Sequence, residues 1–200
     1  MKRINNFADY APKAEWVKNF FDEPDKFLVD NRLSKNQLRF FKRFLFDSEF
    51  VRRWHKTSTE FTKLIKKIGW DSATSWGLIL VNLVYNNPQI RWYVENLPQG
   101  EGIERGVVEE NLQILKISVK DSKSIVKAFK RLCTIPLGIS LKFGAVIIDG
   151  KVTILKRTKA RVDDGRVILY ALYKFAEATG GWYQFTLSRL MSNIDSAGVD

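Results

Sequence analysis

Cysteine and histidine are nearly missing from this sequence of 200 residues, which contains one of each, Cys133 and His55. A single cysteine cannot form an internal disulfide, so the fold does not depend on an oxidising compartment. A zinc site with four cysteine or histidine ligands is excluded within one chain. A cysteine–histidine nucleophile pair is also disfavoured, because the two residues are far apart in the sequence.

Long apolar runs are absent as well. The longest, residues 76–85, has about half of the roughly 20 residues that a membrane-spanning helix needs, and Asn82 interrupts it. The N-terminal stretch MKRINNFADYAP lacks the apolar segment of a signal peptide. We therefore expect a cytoplasmic protein that has no membrane partner.

The sequence also lacks the motifs of common catalytic and nucleotide-binding sites. Neither the phosphate loop G-x-x-x-x-G-K-[ST] nor the dinucleotide fingerprint G-x-G-x-x-G occurs. The adjacent carboxylates Glu109-Glu110 and Asp163-Asp164 fall at predicted helix starts or surfaces, where such residues cap and solvate more often than they catalyse. We expect no catalytic residue, no metal site and no cofactor in this chain.

Acidic residues are outnumbered, since 22 Asp and Glu face 33 Lys and Arg and leave a net charge of +11. The basic excess lies in residues 1–67 and 111–200, whereas residues 68–110 are mildly acidic. A bias of this size favours a polyanionic partner such as nucleic acid, although charge alone does not identify one.

Apolar residues recur at helical spacing through most of the chain, which predicts a mainly α fold with a small β-hairpin. The most apolar segment, SATSWGLILVNLVY, is hydrophobic on nearly all sides. Helices of that kind lie inside a fold. We therefore expect this helix to be central and to bury Trp76, Leu80, Leu83 and Val84.

The loop LPQGEG, rich in Pro and Gly, is the best candidate for a domain boundary. It separates a helical region, residues 1–98, from a winged-helix-like region with C-terminal helices, residues 103–200; the alternative is one compact domain. At the C-terminal end, ILYALYKFAEA, the Gly180-Gly181 turn and YQFTLSRLMS are typical of a helical pair that closes the core. The alternative is a second helix-turn-helix that continues beyond Asp200, which implies a piece of a longer protein.

Residues 103–160 have the element order of a winged helix-turn-helix. Two predicted helices, IERGVVEENLQIL and DSKSIVKAFKRL, are followed by β-favouring runs on either side of Asp149-Gly150. Those runs predict a β-hairpin over residues 143–157. In a winged helix-turn-helix the second helix enters the major groove and the hairpin touches the phosphates beside it. We therefore predict a helical bundle plus a winged helix-turn-helix-like unit.

The second of these helices and the hairpin carry most of the basic residues of the region. The candidate nucleic-acid-binding residues are Lys123, Lys127, Lys130, Arg131, Lys151, Lys156, Arg157, Lys159 and Arg161. Contacts of this kind set the affinity for phosphates but carry no sequence information. Ser122, Lys123 and Ser124 are the only polar candidates for reading bases at the helix start, so we expect weak or shape-dependent specificity. The alternative is an ordinary solvated surface, because lysines also keep helices soluble and edge strands unpaired.

Four longer stretches of the sequence carry a resemblance to known proteins: INNFADYAPKAEWVKNFFDEP, IGWDSATSWGLILVNLVYNNPQIRWYVENL, KSIVKAFKRLCTIPLG and RVILYALYKFAEATGGWYQFTLSRL. Together they make nearly the whole chain resemble the C-terminal region of large bacterial proteins of the phosphoadenosine phosphosulfate reductase family. The upstream portions of those proteins carry a reductase-like nucleotide-binding domain and ferredoxin-type cysteine clusters, which have no matching positions here. Related reductase-like proteins occur with bacterial DNA sulfur-modification and defence systems, so the resemblance implies an accessory region that handles DNA.

Three functions follow as hypotheses. In the first, the chain is a non-catalytic accessory region that binds nucleic acid, with duplex DNA as the partner, through a basic winged helix-turn-helix surface. In the second, it docks the upstream reductase-like and ferredoxin-like domains, and its basic surface faces an acidic partner. In the third, it supplies phosphate ligands such as Arg157 or Lys159 to an active site completed elsewhere. Salt-dependent DNA binding separates the first hypothesis from the other two.

Overall fold

Helices make up most of the chain that the computed structural model describes, namely residues 4, 12–52, 57–159 and 162–180. The helices are α1 (Ala14–Asp22), α2 (Pro24–Val29), α3 (Lys35–Asp47), α4 (Glu60–Ile68), α5 (Ala73–Asn86), α6 (Pro88–Asn96), α7 (Arg105–Ile114), α8 (Val119–Thr134), α9 (Pro136–Ser140) and α10 (Gly165–Ala178). The strands are β1 (Gly102–Glu104), β2 (Gly144–Asp149) and β3 (Val152–Arg157). Within the described ranges, no helix is long and apolar enough to cross a membrane.

The helix starts follow local sequence signals. Ser34 caps α3 in a capping box, because its hydroxyl accepts from the Gln37 backbone N–H while the Gln37 side chain accepts from the Ser34 N–H. Ser72 is likewise the N-cap residue of α5. Pro24 and Pro88 lie in the first turns of α2 and α6. These satisfied or unneeded backbone donors explain why the helices begin at these residues.

Helix α5 is the centre of the fold, as predicted. Trp76, Leu80 and Leu83 are 0% exposed, and Val84 is also buried. The helix packs against α3, α4, α6, α9 and α10. Gly77 permits close contact with the C-terminal part of the chain, since a Cβ there would lie 3.0 Å from the Val167 methyl groups.

Phenylalanine rings from the first third pack around one another beside α5. Phe20, Phe21, Phe41, Phe44 and Phe50 are all buried. Most of their contacts are edge-to-face, such as Phe21 against Phe50 with ring centroids 5.0 Å apart. Edge-to-face pairs place the positive ring edge on a negative ring face and add to the stability gained from burial. Phe27 of α2 packs edge-to-face on Phe20, so the cluster holds α1, α2 and α3 together without a disulfide.

Buried polar contacts join the end of α3 to later helices. Arg43 Nε lies 2.7 Å from the fully buried Asp47 carboxylate, which also accepts a 2.6 Å hydrogen bond from the Asn87 amide. Lys174 on α10 lies 2.7 Å from Glu49. Asp47 and Lys174 are buried and require such partners, because an unpaired buried charge is strongly destabilising. The contact between Lys174 and Glu49 joins α10 to the segment that follows α3, across the predicted boundary at residues 99–102. The predicted division into two regions stays a prediction.

The three strands form one antiparallel sheet in the order β1-β3-β2. The predicted hairpin is confirmed, but Asp149 pairs with Val152, so the two loop residues are Gly150 and Lys151 rather than Asp149 and Gly150. Only Gly150 has a positive φ, 56°, which is the sign pattern of a type II′ turn. The predicted helix IERGVVEENLQIL is wrong at its first two residues, because Ile103 and Glu104 pair with β3 as strand β1 and α7 begins at Arg105. Three residues next to a Gly-containing loop give almost no periodic signal.

Gly150 should be sensitive to any side chain for conformational reasons alone. A Cβ added at Gly150 would meet nothing within 4 Å. We expect Gly150→Ala to lower the free energy of unfolding by about 1 kcal/mol, since an L-residue is strained at positive φ. Gly106, in the first turn of α7, is the matched control, because its added Cβ also meets nothing and its φ is not positive. Gly106→Ala should stabilise the protein by about 0.5 kcal/mol or more in the same urea titration; equal effects of the two variants would contradict the strained turn.

Candidate nucleic-acid interface

Helix α8 presents two different faces because its apolar and basic residues alternate at helical spacing. Ser118 caps its start by accepting from the Asp121 backbone N–H. Ile125, Phe129 and Leu132 are fully or almost fully buried and attach the helix to the core. The Phe129 ring lies 5.0 Å from the ring of Tyr93 on α6. The opposite side of α8 is exposed and carries lysines.

The buried contact between α6 and α8 is fixed by one hydroxyl group. Tyr93 donates its hydroxyl proton to the Ile125 backbone carbonyl and accepts a 2.6 Å hydrogen bond from the Gln89 amide. Burial raises the pKa of Tyr93 far above its usual value, so the hydroxyl stays protonated and keeps donating. This hydrogen bond joins α6 to the buried side of α8.

A groove of about 680 Å³ runs between the exposed side of α8 and the sheet, and we call it the basic groove. Its cationic lining residues are Arg105, Lys120, Lys123, Lys127, Lys130 and Arg131. Its other lining residues are Ser124, Val126, Thr134, Val146, Thr153 and Leu155. None of these lining residues of the described chain is acidic, so the groove concentrates positive charge on a concave surface. A concave surface of one charge sign focuses the electrostatic field on an incoming polyanion.

The lysines of α8 are spaced at helical intervals along the basic groove. Lys120, Lys123, Lys127 and Lys130 are three or four residues apart, which places neighbouring Cβ atoms about 5–6 Å apart on one helix face. Arg105 of α7 also lines the groove, and its Nε lies 2.6 Å from Glu109. Helix α8 supplies the other five cationic lining residues, so most of the positive charge of the groove comes from α8.

Four of the predicted site residues meet in the basic groove. Lys123, Lys127, Lys130 and Arg131 are exposed and line it side by side. This part of the predicted site is a real cluster in three dimensions, and one helix supplies all of it.

The basic residues of the hairpin do not join that cluster. Lys151 is exposed at the hairpin turn, and Lys159 is exposed after β3. Lys156 is half-buried and alternates along β3 with Leu155, which lines the basic groove. Successive side chains of a strand point to opposite faces, so Lys156 faces away from the groove. Arg161 lies outside the described residues.

Arg157 occupies a structural position. It is 7% exposed, and its Nε donates a 2.9 Å hydrogen bond to the Leu97 carbonyl. Its own backbone carbonyl accepts from the Gly100 N–H. Arg157 thus joins the end of β3 to the loop that follows α6, and this burial weighs against its use as a phosphate ligand in an active site completed elsewhere.

The start of α8 corrects the expectation about base-reading residues. The helix begins at Val119, three residues before Ser122. Ser122 is fully buried, and its hydroxyl donates to the Ser118 carbonyl. It therefore cannot reach a base edge. Ser124 and Lys123 remain on the side of the helix that lines the basic groove.

Sequence reasoning missed several lining residues of the groove. Lys120 lies three residues before Lys123 on the same face, and recognising Ser118 as the helix cap would have included it. Arg105 and Thr153 had no such signal, because they reach the groove only through the packing of α7 and the sheet beside α8.

The only cysteine of the sequence lies close to this region, but its thiol does not ionise readily. Cys133 is half-buried, and its burial raises the pKa of the thiol to about 12. A thiol needs to ionise to act as a nucleophile or metal ligand. In the described ranges there is also no group of three or more His, Cys, Asp or Glu side chains placed to hold a metal ion. The chemistry offered by the site is therefore charge and hydrogen bonding.

Comparisons of this chain with family models, with curated proteins and with solved structures give no match.

Proposed function

We propose that this chain binds nucleic acid through its phosphates and that the basic groove is the contact surface. The observation that carries the proposal is the alignment of Lys120, Lys123, Lys127, Lys130 and Arg131 along one groove whose described lining includes no acid. Lysine and arginine contacts to phosphates release condensed counterions, which supplies most of the free energy of non-specific binding.

The order of elements around the groove supports a winged helix-turn-helix mode of contact. Helices α7 and α8 pack on each other and are joined by a turn over residues 115–118, in which Lys116 has a φ of 62°. The hairpin of β2 and β3 follows and packs beside α8. In this arrangement α8 takes the place of the second helix, which contacts the duplex, and the exposed Lys151 stands at the tip of the wing.

Binding of this kind is expected to depend little on sequence. The hydroxyl groups of Ser124, Thr134 and Thr153 are the neutral hydrogen-bonding groups among the lining residues. The bidentate amide contacts with which Asn and Gln read adenine are not offered by that lining. We therefore propose an accessory, non-catalytic role in which duplex DNA is held by its backbone, in line with the resemblance to the C-terminal region of the reductase family.

A docking role is the second candidate, and one observation favours it. Ile147, Ile148 and Val152 are exposed near the tip of the hairpin, where β2 forms one edge of the sheet. Exposed apolar side chains on an edge strand are typical of a surface that pairs with protein. In this function the partner is an upstream reductase-like or ferredoxin-like domain, and an acidic surface of that domain covers the basic groove.

A salt titration tests the proposed function. The whole chain is titrated against a short duplex DNA and the matching duplex RNA at several salt concentrations. With four or five phosphate contacts, we expect the logarithm of the affinity to fall with the logarithm of salt at a slope of about −4 for duplex DNA. A slope near zero, or equal affinity for polyglutamate of the same total charge, would contradict nucleic-acid binding and would favour docking to an acidic protein.

A further inference from the structure

A second cleft adjoins the basic groove at the C-terminal end of α8. It has a volume of about 590 Å³ and lies among the starts of α1 and α3, the end of α8, and α9. We call it the adjoining cleft. Arg131 and Thr134 line both the adjoining cleft and the basic groove. The two surfaces therefore meet along these side chains.

The chemistry of the adjoining cleft differs from that of the basic groove. Its apolar lining comes from Ala14, Trp16, Ile135, Pro136 and Ile139. Ile139 is 65% exposed, so an apolar side chain stands open to solvent in a concave site. Small-molecule and base sites have this character, in which apolar walls hold a ring and a few polar groups orient it.

Polar groups stand at the edge of the adjoining cleft. Lys13 and Arg131 are its cations, and none of its described lining residues is acidic. The Lys13 ammonium lies 5.8 Å from the centre of the Trp16 ring, a cation–π contact that keeps the charge at the rim. The Gln37 amide oxygen accepts a hydrogen bond from Ser34, and its amide nitrogen can donate to the edge of a base.

We propose that the adjoining cleft binds an unpaired base of a nucleic acid whose neighbouring phosphates lie on the basic groove. A nucleobase has apolar faces and polar edges, which match the apolar walls and the Gln37 and Thr134 side chains. The phosphate next to that base would fall at Arg131, the cation common to both surfaces. This inference rests on the proposed function and adds a preference for duplexes that end in a single-stranded overhang.

The experiment compares three DNA ligands on the whole chain at one salt concentration. They are a blunt duplex, the same duplex with a two-nucleotide overhang, and the same duplex with a two-residue abasic overhang. The last two carry equal numbers of phosphates, so their difference isolates the bases from the charge. We expect the base-bearing overhang to bind about tenfold more tightly than the abasic one, with each overhang tested at the 3′ and the 5′ end.

A pair of serine variants locates the effect. Ile139→Ser should reduce the ratio between the base-bearing and abasic overhangs to about one and leave the affinity for the blunt duplex unchanged. Ile114, an isoleucine of α7 that is 77% exposed and is not a lining residue of either surface, provides the control. Ile114→Ser should preserve the ratio.

The outcomes separate the two proposals. Equal affinities for the base-bearing and abasic overhangs, or a ratio that survives Ile139→Ser in a chain shown to be folded, would overturn the base-binding cleft. Salt-dependent binding of the blunt duplex would continue to support the proposed function in that case. If the chain binds none of the three ligands, both proposals are overturned together.

Discussion

Replacing Lys123, Lys127 and Lys130 together with Ala will weaken duplex DNA binding by roughly 10²- to 10³-fold at about 0.1 M salt, if each lysine contacts one phosphate. The three side chains lie on the exposed face of α8 and line the basic groove in succession. Each lost phosphate contact removes about 0.9 from the slope of log affinity against log salt, so the slope should flatten by up to about 3. All sequences should lose affinity alike, because phosphate contacts carry no sequence information.

A second lysine triplet controls for net charge. Lys63, Lys66 and Lys67 are exposed on α4 and do not line the basic groove. Replacing them with Ala removes the same three charges from a different helix surface. We expect this variant to bind within a few-fold of the parent, since a charge outside the contact acts only through the screened field. An equal loss in both triple variants would mean that net charge, and not the groove, governs binding.

Thermal unfolding tells whether the groove variant remains folded. Exposed lysines contribute little to stability, and the Lys123, Lys127 and Lys130 side chains are all exposed. The unfolding midpoints of the two triple variants should therefore stay close to that of the parent. Unchanged DNA affinity in a folded variant without Lys123, Lys127 and Lys130 would mean that this face of α8 is an ordinary solvated surface.

Local signals in the sequence account for where many elements of the fold begin. Ser34, Ser72 and Pro88 mark helix starts through backbone donors that are satisfied or missing, and this chemistry acts within four residues. The β-favouring runs beside Gly150 predicted the hairpin in the same way. The burial of α5 on nearly all sides was predicted because its sequence has almost no polar face.

The candidate site was predicted only where a single helix supplies it. Lys123, Lys127 and Lys130 share a face because of helical spacing, which the sequence displays directly. Whether the hairpin side chains face the groove could not be predicted without the orientation of the sheet. Once Leu155 is taken as the inward residue of β3, the two-residue period places Arg157 inward and Lys156 outward. Strand periodicity therefore argues against Lys156 as a member of the site, whereas the burial of Arg157 and its hydrogen bond to the Leu97 carbonyl argue against Arg157.

Contacts between distant parts of the chain had no sequence signal. The basic groove needs Arg105 on α7 beside α8, and the adjoining cleft needs Lys13 and Gln37 beside the end of α8. The packing of α10 on α5 likewise joins segments separated by about eighty residues, a non-local contact that periodicity cannot specify. Such contacts are set by tertiary packing. The packing of α10 on α5 is one of them, and it crosses the predicted boundary at residues 99–102.

Leu80→Ala should lower the free energy of unfolding by about 2–5 kcal/mol. Leu80 is 0% exposed in the middle of α5, the helix that packs against helices from both halves of the chain. The substitution removes buried methyl groups and leaves a cavity that the surrounding helices cannot fully close. Urea unfolding measured by far-ultraviolet circular dichroism gives the change in free energy.

The position of α5 also predicts how the protein unfolds. Because α5 contacts α3 and α4 as well as α9 and α10, loss of Leu80 should weaken both halves together. We expect tryptophan emission and circular dichroism to change in one coincident transition, the behaviour of a single cooperative unit. Leu169→Ala on α10 is the matched control, since Leu169 is 67% exposed, and it should change the stability by no more than about 0.5 kcal/mol. A cost well under 2 kcal/mol for Leu80→Ala, or two separate transitions in the parent protein, would contradict a core that is centred on α5 and shared by the whole described chain.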